Sequence, residues 1–439
     1  MPMLTPATVL TRHIDQLYQQ HSRHVLATLI RLLGDFDRAE DALQEAYSAA
    51  LTQWPQTGIP AAPVPWLVST GRFKAIDKLR QQQRFVSDGE ALLAQMAISG
   101  HPDSADELLF DQPLWPDDYL RLVFTCCHPA LSLEAQLALT LREVCGLTTE
   151  QIARALLQTP STIAQRIVRA KQKIKAAAIA YQVPQQQDLL ARLQAVHKVI
   201  YLLFNEGYST QTIEAPTVAI TEPAQVSAQH DVMQQADLAE QAIALSRQLL
   251  ALQFDTETCG LLALLLLQHA RKQARFDGQG ELVLLPAQNR AIWDQALIAE
   301  GQQLVETALS AGRIGPYAIQ AAIAAVHSES ADSTTTDWPQ IYALYQVLYR
   351  LEPTPVVALN QLVALSMCQG PAVALQRLQP LLQEPALAQY HLLFAVAADF
   401  HRQLGQKTES IRFYRQALAL AIHTADQQFL QQRLVELAG

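Results

Sequence analysis

Helix-favouring residues run through almost the whole chain, and this feature limits the possible folds more than any other. Ala, Leu and Gln dominate, and all three are good helix formers, whereas aromatic residues make up only 7% of the sequence. Runs rich in Val, Ile, Thr and Tyr, which favour strands, are scarce. A chain of 439 residues can form roughly two to four domains with cores of their own. The sequence therefore predicts an all-α protein.

Breaks in the helical pattern divide the chain into four segments. Residues 1–85 and 118–182 are predicted to form two small helical domains. Residues 86–117 contain Gly, Pro and Ser and carry Asp and Glu but no Lys or Arg, which predicts an acidic linker. Residues 188–439 are helical almost throughout, with joints rich in Pro, Gly and Thr. We expect this last segment to be a third helical region.

Charge is distributed unevenly between the two halves of the chain. Residues 1–187 hold 17 basic and 18 acidic side chains, whereas residues 188–439 hold 15 and 23. The first half therefore has local basic patches on a balanced background. The second half is acidic, so we expect it not to contact nucleic acid directly.

The pattern of cysteines and the hydropathy of the chain indicate the cellular compartment in which the protein folds. The five cysteines form neither a disulfide framework nor a Cys-x-x-Cys pair. The N-terminal stretch has no basic start followed by an apolar core, as a signal peptide would have. The longest apolar run, residues 260–267, is far too short to span a bilayer. We expect a soluble cytoplasmic protein with no membrane contact.

The stretch LTTEQIARALLQTPSTIAQRIVRAKQKIK, residues 147–175, gathers basic charge at its end. Residues 149–156 fit one short helix, and Pro160 starts a second helix that Thr159 or Ser161 can cap. Two short helices, a tight turn and a polar-basic second helix predict a helix-turn-helix, whose second helix enters the major groove. A solvated basic face on an ordinary helix is the alternative. The predicted inward residues of the second helix are Ile163, Ile167, Ala170 and Ile174, and the outward ones are Ser161, Thr162, Gln165, Arg166, Arg169, Lys171 and Lys173.

Two further helices are predicted upstream of this stretch. Residues 34–54, GDFDRAEDALQEAYSAALTQW, are amphipathic, and Asp37 with Glu40 resembles a capping box. After the proline-rich loop 55–65, the sequence WLVSTGRFKAIDKLR begins a basic helix that continues to Arg84. The predicted inward residues of the first helix are Leu43, Tyr47, Ala50, Leu51 and Trp54, and the outward ones are Asp37, Glu40, Asp41, Gln44 and Glu45.

This order of features resembles an RNA polymerase sigma factor of the extracytoplasmic-function (ECF) type, within the sigma-70 family. The resemblance rests on the acidic amphipathic helix, the basic helix, the linker and the helix-turn-helix that ends RAKQKIK. It implies that residues 1–85 are sigma region 2 and that residues 118–182 are sigma region 4. A protein of this family binds core RNA polymerase, recognises promoter DNA and opens it. It acts by binding, so we expect a protein that is not an enzyme and needs no cofactor.

The resemblance also implies which residues bind each partner. The outward face of the helix at 37–48 would contact core polymerase through Asp37, Glu40, Asp41, Gln44 and Glu45. The basic helix would meet the melted −10 strand through Arg72, Lys74, Lys78, Arg80 and Arg84, beside a pocket wall formed by the loop 55–65. The −35 duplex would be read by Ser161, Thr162, Gln165, Arg166 and Arg169, with Lys171 and Lys173 on phosphates. Many relatives carry Asn where this chain has Phe73, which either stacks on a base or packs inside; we favour packing.

The long tail narrows the resemblance to one subgroup. The sequences YLLFNEGYS, GLLALLLLQHARKQARFD, GPYAIQAAIAAVH and PTPVVALN resemble the ECF subgroup with a C-terminal helical extension. Gly370 and Gly405 lie 35 residues apart in the sequence, close to the tetratricopeptide period of about 34 residues. We therefore expect a tetratricopeptide-like regulatory domain. In that subgroup the sigma gene commonly neighbours one for a small DGPF/YCII-like protein, a candidate partner.

Other kinds of protein are weighed against this interpretation. Cys126, Cys127 and His128 suggest a metal site, but no second ligand pair has zinc-like spacing, so a buried Cys pair is preferred. The chain has no Walker-type phosphate loop and no Gly-x-Ser-x-Gly or His-Glu-x-x-His motif. Two alternatives stay open: a helix-turn-helix repressor or activator that acts without polymerase, and a helical-repeat adaptor.

Overall fold

In the computed structural model the chain is all-α, as the composition predicts. Among the described residues there is no β-strand, and one isolated bridge joins Phe276 and Leu282. These residues divide into two compact units, Met1–Leu203 and Phe204–Gly439. No helix within the described ranges is both long and apolar enough to cross a membrane. The structure describes residues 6–83, 116–156, 158–184, 186–209, 223–278, 282–422 and 424–438.

The first unit contains two groups of helices. Helices α1, α2 and α3 pack against one another as one bundle, and α4 to α7 follow as a second group. The predicted acidic linker, residues 86–117, lies outside the described residues up to residue 115, and α4 begins at Pro116. The helices are α1 (Pro6–Leu33), α2 (Phe36–Thr57), α3 (Pro63–Gln83), α4 (Pro116–Cys126), α5 (Leu133–Glu143), α6 (Thr149–Ala155) and α7 (Pro160–Ala176).

Helix α2 begins and ends at different residues from those predicted. Asp35 is its N-cap, because one side-chain oxygen accepts hydrogen bonds from the backbone N–H of Asp37 and Arg38, both at 3.1 Å. The predicted capping box of Asp37 and Glu40 is therefore wrong. The helix also runs on through Pro55 to Thr57, so the predicted loop 55–65 shrinks to residues 58–62.

The inward face of α2 is predicted correctly except at one position. Leu43, Tyr47, Ala50 and Trp54 are buried, whereas the Leu51 side chain is 49% exposed. Within the bundle, α3 approaches α2 very closely at Gly71. A Cβ at this position would lie 2.9 Å from the Ala42 carbonyl oxygen. Helix α3 is thus held by direct packing against the backbone of its own bundle.

Helices α6 and α7 form the predicted helix-turn-helix. Thr148 caps α6 in a capping box with Gln151, and Thr159 caps α7 with Pro160 in its first turn. The inner face of α7 is buried as predicted, with hydrophobic burial holding the helix against α5. Its buried residues are Ile163, Ile167, Ala170 and Ile174.

The second unit is a succession of packed helices. Helix α8 (Gln186–Ser209) leads into it and α9 (Pro223–Leu252) follows. Helix α10 (Thr256–His269) is the centre of the first part, since all its residues from Thr258 to Leu267 are buried, and it packs on both α11 and α12. The remaining helices are α11 (Gln295–Ser310), α12 (Pro316–Glu329), α13 (Trp338–Leu351), α14 (Pro355–Gln369), α15 (Pro371–Leu382), α16 (His391–Gln403), α17 (Lys407–Leu420) and α18 (Thr424–Ala438).

The weak repeat in the tail corresponds to two helix pairs. Gly370 joins α14 to α15, and Gly405 lies between α16 and α17. Both glycines have positive φ, 88° and 72°, a conformation that ends a helix and that other residues rarely adopt. One apolar cluster runs through these helices from Leu359 to Leu430. Successive helix pairs therefore share a continuous core, as in repeat proteins.

Candidate nucleic-acid interface

The outer face of α7 carries the residues predicted to read duplex DNA. Ser161, Gln165, Arg169 and Lys173 are exposed and recur every four residues, so they form one stripe along the helix. Thr162 and Arg166 are half-buried beside this stripe. A polar-basic stripe on the second helix of a helix-turn-helix is the surface that enters a major groove.

The start of α7 is held in place by its own cap. The Thr159 hydroxyl lies 3.1 Å from the Ser161 hydroxyl and 2.8 Å from that of Thr162. It also accepts a hydrogen bond from the Thr162 N–H at 3.3 Å. The two hydroxyls predicted to reach base edges are therefore oriented by contacts within the first turn.

Lys171 does not face outward, and that prediction is corrected. Its side chain is only 16% exposed, and its Nζ lies 3.1 Å from Glu143 Oε1, 3.3 Å from Glu40 Oε1 and 3.5 Å from Asp37 Oδ1. The reason is its position four residues after Ile167, at the edge of the buried stripe. Its ammonium group is engaged by carboxylates, and the contact with a DNA phosphate stays a prediction. Lys173, two residues on, is exposed as predicted.

Glu143 is the most deeply buried acid of this cluster, with its side chain 2% exposed. Burial raises the pKa of Glu143 to about 7, and the neighbouring Glu40 adds to the effect, although Lys171 opposes it. Sequence reasoning missed Glu143. Its signal is an acid within the apolar run around Leu141, Val144 and Leu147, where an unpaired charge would be costly.

Asp35 was missed as well. Besides capping α2, its second carboxylate oxygen lies 2.6 Å from Lys175 Nζ. Burial favours the neutral acid, but hydrogen bonds from Lys175 and from the Arg38 backbone outweigh it, so the pKa of Asp35 is lowered. The available signal was an Asp between Gly34 and the apolar start of a helix, which is a common N-cap pattern.

Helix α3 presents a second basic face. Lys74 and Arg80 are exposed and Arg72 is half-buried, while Arg84 lies outside the described residues. Phe73 is 58% exposed, so the interpretation that it packs inside is wrong. Trp54 is buried, as predicted, and its ring centre lies 5.2 Å from that of Trp66.

The acidic face of α2 is already engaged within the chain. Asp37, Asp41 and Gln44 are exposed, and Glu40 and Glu45 are half-buried. The Nζ of Lys78, on α3, lies 2.8 Å from Asp41 Oδ2 and 3.9 Å from Glu45 Oε1. The structure therefore brings Lys78, which is predicted to contact DNA, together with residues that are predicted to contact polymerase. Helix α7 engages the other two acids of this face, Asp37 and Glu40, through Lys171.

The preferred interpretation of Cys126 and Cys127 as a buried pair is confirmed. His128 Nδ1 accepts a hydrogen bond from the Ala130 N–H at 3.1 Å, which shapes the turn after α4. Within the described ranges, no three His, Cys, Asp or Glu side chains lie together as a metal site would require.

Three protein-family models match the chain, in the order of its helices. The model described as Sigma-70 region 2 matches residues 17–85, which contain α2, α3 and most of α1. The model described as Sigma-70, region 4, matches residues 121–174, from α4 into α7. A family of unknown function (DUF6596) matches residues 192–309.

Two kinds of relative are similar to the chain. A protein of Rhizobium meliloti (strain 1021), named only as uncharacterized, is 41% identical over 432 residues, which cover 98% of this chain and 97% of the relative. A probable ECF RNA polymerase sigma factor SigI of Mycobacterium tuberculosis is 25% identical over 209 residues, 46% of this chain and 64% of the relative, in each of two strains. No solved structure matches at a significant level.

Proposed function

We propose that the chain, which matches the sigma-70 region 2 and region 4 models, is an alternative sigma factor of the ECF type, which joins core RNA polymerase in the cytoplasm and directs it to its own set of promoters. The observation that carries this proposal is the succession of region 2 and region 4 along one chain, each with a basic helix exposed on its surface. Neither region alone would distinguish a sigma factor from another DNA-binding protein.

Region 4 is proposed to hold the −35 duplex with the outer stripe of α7. Bidentate contacts from Arg to guanine are the commonest specific contacts in the major groove, and the half-buried Arg166 has less freedom than a surface side chain. Lys173 is proposed to hold phosphates. The residues proposed to read bases are Ser161, Thr162, Gln165, Arg166 and Arg169.

Region 2 is proposed to meet the melted −10 strand with α3. Exposed Phe73 lies between Arg72 and Lys74 in the sequence, so a stacking surface is flanked by cations. Aromatic side chains on which bases stack, in a basic groove, are the usual means of binding single strands. Arg80 and, beyond the described residues, Arg84 would extend this surface. Lys78 contributes only when it leaves Asp41.

The acidic face of α2 is proposed to dock on a basic surface of core polymerase. Charge complementarity of this kind orients two partners and raises their association rate more than their final affinity. The proposed residues are Asp37, Glu40, Asp41, Gln44 and Glu45. The acidic linker at 86–117 is proposed to occupy the RNA path of polymerase as a mimic of RNA charge.

The C-terminal helical unit is proposed to regulate the sigma regions. Helix pairs that share a continuous core make extended protein-binding surfaces, and the tail carries excess acidic charge. The small DGPF/YCII-like protein is proposed as one partner of this tetratricopeptide-like domain. Regulation by contact with the chain's own sigma regions is the other use that we propose.

Transcription in vitro tests the proposal. Core polymerase, with and without the purified chain, is given a library of random promoter fragments, and transcript starts are sequenced. We expect defined starts that need the chain and share −35 and −10 sequences. A repressor or activator acting without polymerase would bind duplex DNA yet create no starts, and an adaptor would do neither; either result overturns the proposal.

A further inference from the structure

From the contacts between α7 and α2 we propose that region 4 closes over the polymerase-binding face of region 2 in the free protein, and that polymerase must displace it. The inference rests on the proposed function, because it concerns which surfaces that function needs. It assigns Lys175 to an intramolecular lock, together with Lys171, which the sequence had predicted to hold a DNA phosphate.

The centre of the lock is the ammonium group of Lys171. Three carboxylates from two helices surround it: Glu143 from α5 in region 4, and Asp37 and Glu40 from α2 in region 2. The same ammonium lies 5.7 Å from the ring centre of Phe36, within the range of cation–π attraction. The side chains of Asp37 and Glu40 stay 82% and 42% exposed, so a basic surface of polymerase competes with Lys171 for their carboxylates.

A second contact lies one helical turn further along α7. Lys175 Nζ lies 2.6 Å from Asp35 Oδ2, and Asp35 is the residue that caps α2. Tyr181 follows with its ring centre 5.9 Å from that of Phe36. The contact therefore lies at the first turn of α2, beside Asp37, whose side chain stays 82% exposed at the start of the acidic face.

The two regions also contact each other through α1 and α4. Arg31 Nε lies 2.8 Å from Asp118 Oδ1, and the Thr28 hydroxyl donates to Asp118 Oδ2 at 3.2 Å. The His24 and Tyr119 rings stack with centres 5.1 Å apart. This patch is a second contact between the two regions, separate from the ion pairs that α7 makes with α2.

The α7 side is suited to opening because it is polar and loosely packed. A cleft of about 240 Å³ lies between the start of α2 and α7, lined among others by Asp35, Phe36, Val168 and Lys175. Val168, on its wall, is 54% exposed. The Lys175 side chain is 70% exposed, so its ion pair with Asp35 is the one that salt and competing charges weaken most.

Affinity for core polymerase provides the first test. Lys171→Gln with Lys175→Gln in the full chain removes the lock, so the fraction of open protein rises and polymerase binds more tightly, by about fivefold or more. Arg12→Gln is the control, since it removes one positive charge from an exposed position of α1 outside the residues proposed to bind polymerase or DNA; its polymerase affinity stays at the wild-type value. Lys175→Gln alone leaves Glu143 paired and serves where the double variant does not fold.

Fluorescence energy transfer provides the second test. The exposed Cys368 is replaced by Ser, and labels are placed through Gln53→Cys and Ala176→Cys, both at exposed positions. We expect high transfer in the free protein, and lower transfer after addition of core polymerase or in the double lysine variant. If wild type binds polymerase while the lysine variants neither bind it more tightly nor change transfer, the lock is refuted. If wild type does not bind polymerase at all, the proposed function itself has failed.

Discussion

The two basic helices, α3 and α7, both lie against α2 but are held there in different ways. Helix α3 meets α2 through close packing, with the backbone approach at Gly71 and buried Leu67 and Val68. Helix α7 meets α2 through Lys171 and Lys175 and their carboxylates. Packing of the first kind is fixed, whereas contacts of the second kind are sensitive to salt, pH and competing charges. A basic helix predicted from a sequence can therefore either bind DNA or form ion pairs within the protein. Only the burial of its side chains and their partners in the structure distinguish the two.

The largest effect is expected at the packed contact. In Gly71→Val the new side chain meets the Ala42 carbonyl oxygen and the Leu29 side chain, whose methyl carbons lie 3.3 Å from the added Cβ. Helix α3 must shift, and we expect region 2 to lose about 3 kcal/mol of unfolding free energy, measured by urea denaturation. Gly278→Val is the control, because nothing lies within 4 Å of a Cβ there. Equal losses in the two variants would show that α3 is not held by this approach.

The next effect concerns the ionic contact and its pH dependence. The pKa of Glu143 is about 7 in the folded protein, against an ordinary value of 4.5. Between these values the unfolded chain has already lost the proton that the folded chain keeps, so rising pH favours unfolding. Relative to Glu143→Gln, wild type should lose about 2–3 kcal/mol from pH 4.5 to pH 7, and the loss should level off about one pH unit higher.

Urea denaturation of both proteins across this pH range measures the difference. The Gln variant keeps the shape of the side chain but cannot titrate, so the effects of the other groups cancel in the comparison. A difference that grows with rising pH in favour of wild type would contradict the raised pKa. A constant difference would mean that Glu143 titrates normally.

The sequence predicted the helices better than it predicted their contacts. Helical spacing correctly placed Ile163, Ile167 and Ala170 on the inner face of α7, because burial of an apolar stripe is a local property of the pattern. The same reasoning wrongly placed Lys171 on the outer face. It failed because a long side chain at the edge of the apolar stripe turns toward the charges that the tertiary fold places near it. Those charges come from Asp37, 134 positions earlier in the sequence.

The surface assignments on α2 and α3 show the same limit. Leu51 fits the inward pattern of α2, yet it is 49% exposed, because α2 is covered by two neighbouring helices and not from every side. Phe73 was expected to pack, but the residue of α3 that lies closely against α2 is Gly71, two positions earlier, and Phe73 is 58% exposed. The roles of these surfaces in binding stay predictions.

A third prediction distinguishes the residues of α7 that recognise bases from those that bind phosphates on its exposed stripe. Arg166→Ala should weaken binding of the holoenzyme to its preferred −35 sequence by about 1–3 kcal/mol and leave other sequences nearly unchanged. Lys173→Ala should weaken all sequences alike and reduce the salt dependence of binding by about one charge. A panel of −35 variants in a filter-binding or reporter assay measures both. A uniform loss for Arg166→Ala would exclude its base-reading role.

The smallest effect is expected from Phe73, which would act on the opened strand and not on the duplex. Because its side chain is 58% exposed, Phe73→Ala should leave the melting temperature unchanged while removing a stacking surface worth about 1 kcal/mol. Open complexes, detected by permanganate reactivity of unpaired thymines, should then fall about fivefold, with binding to the −35 duplex unaffected. Phe73→Trp keeps a stacking surface and should open promoters as wild type does. If Phe73→Ala opens promoters normally, α3 would bind the strand through its basic side chains alone. Helices α3 and α7 would then differ in how they pack against α2 but not in how they bind DNA.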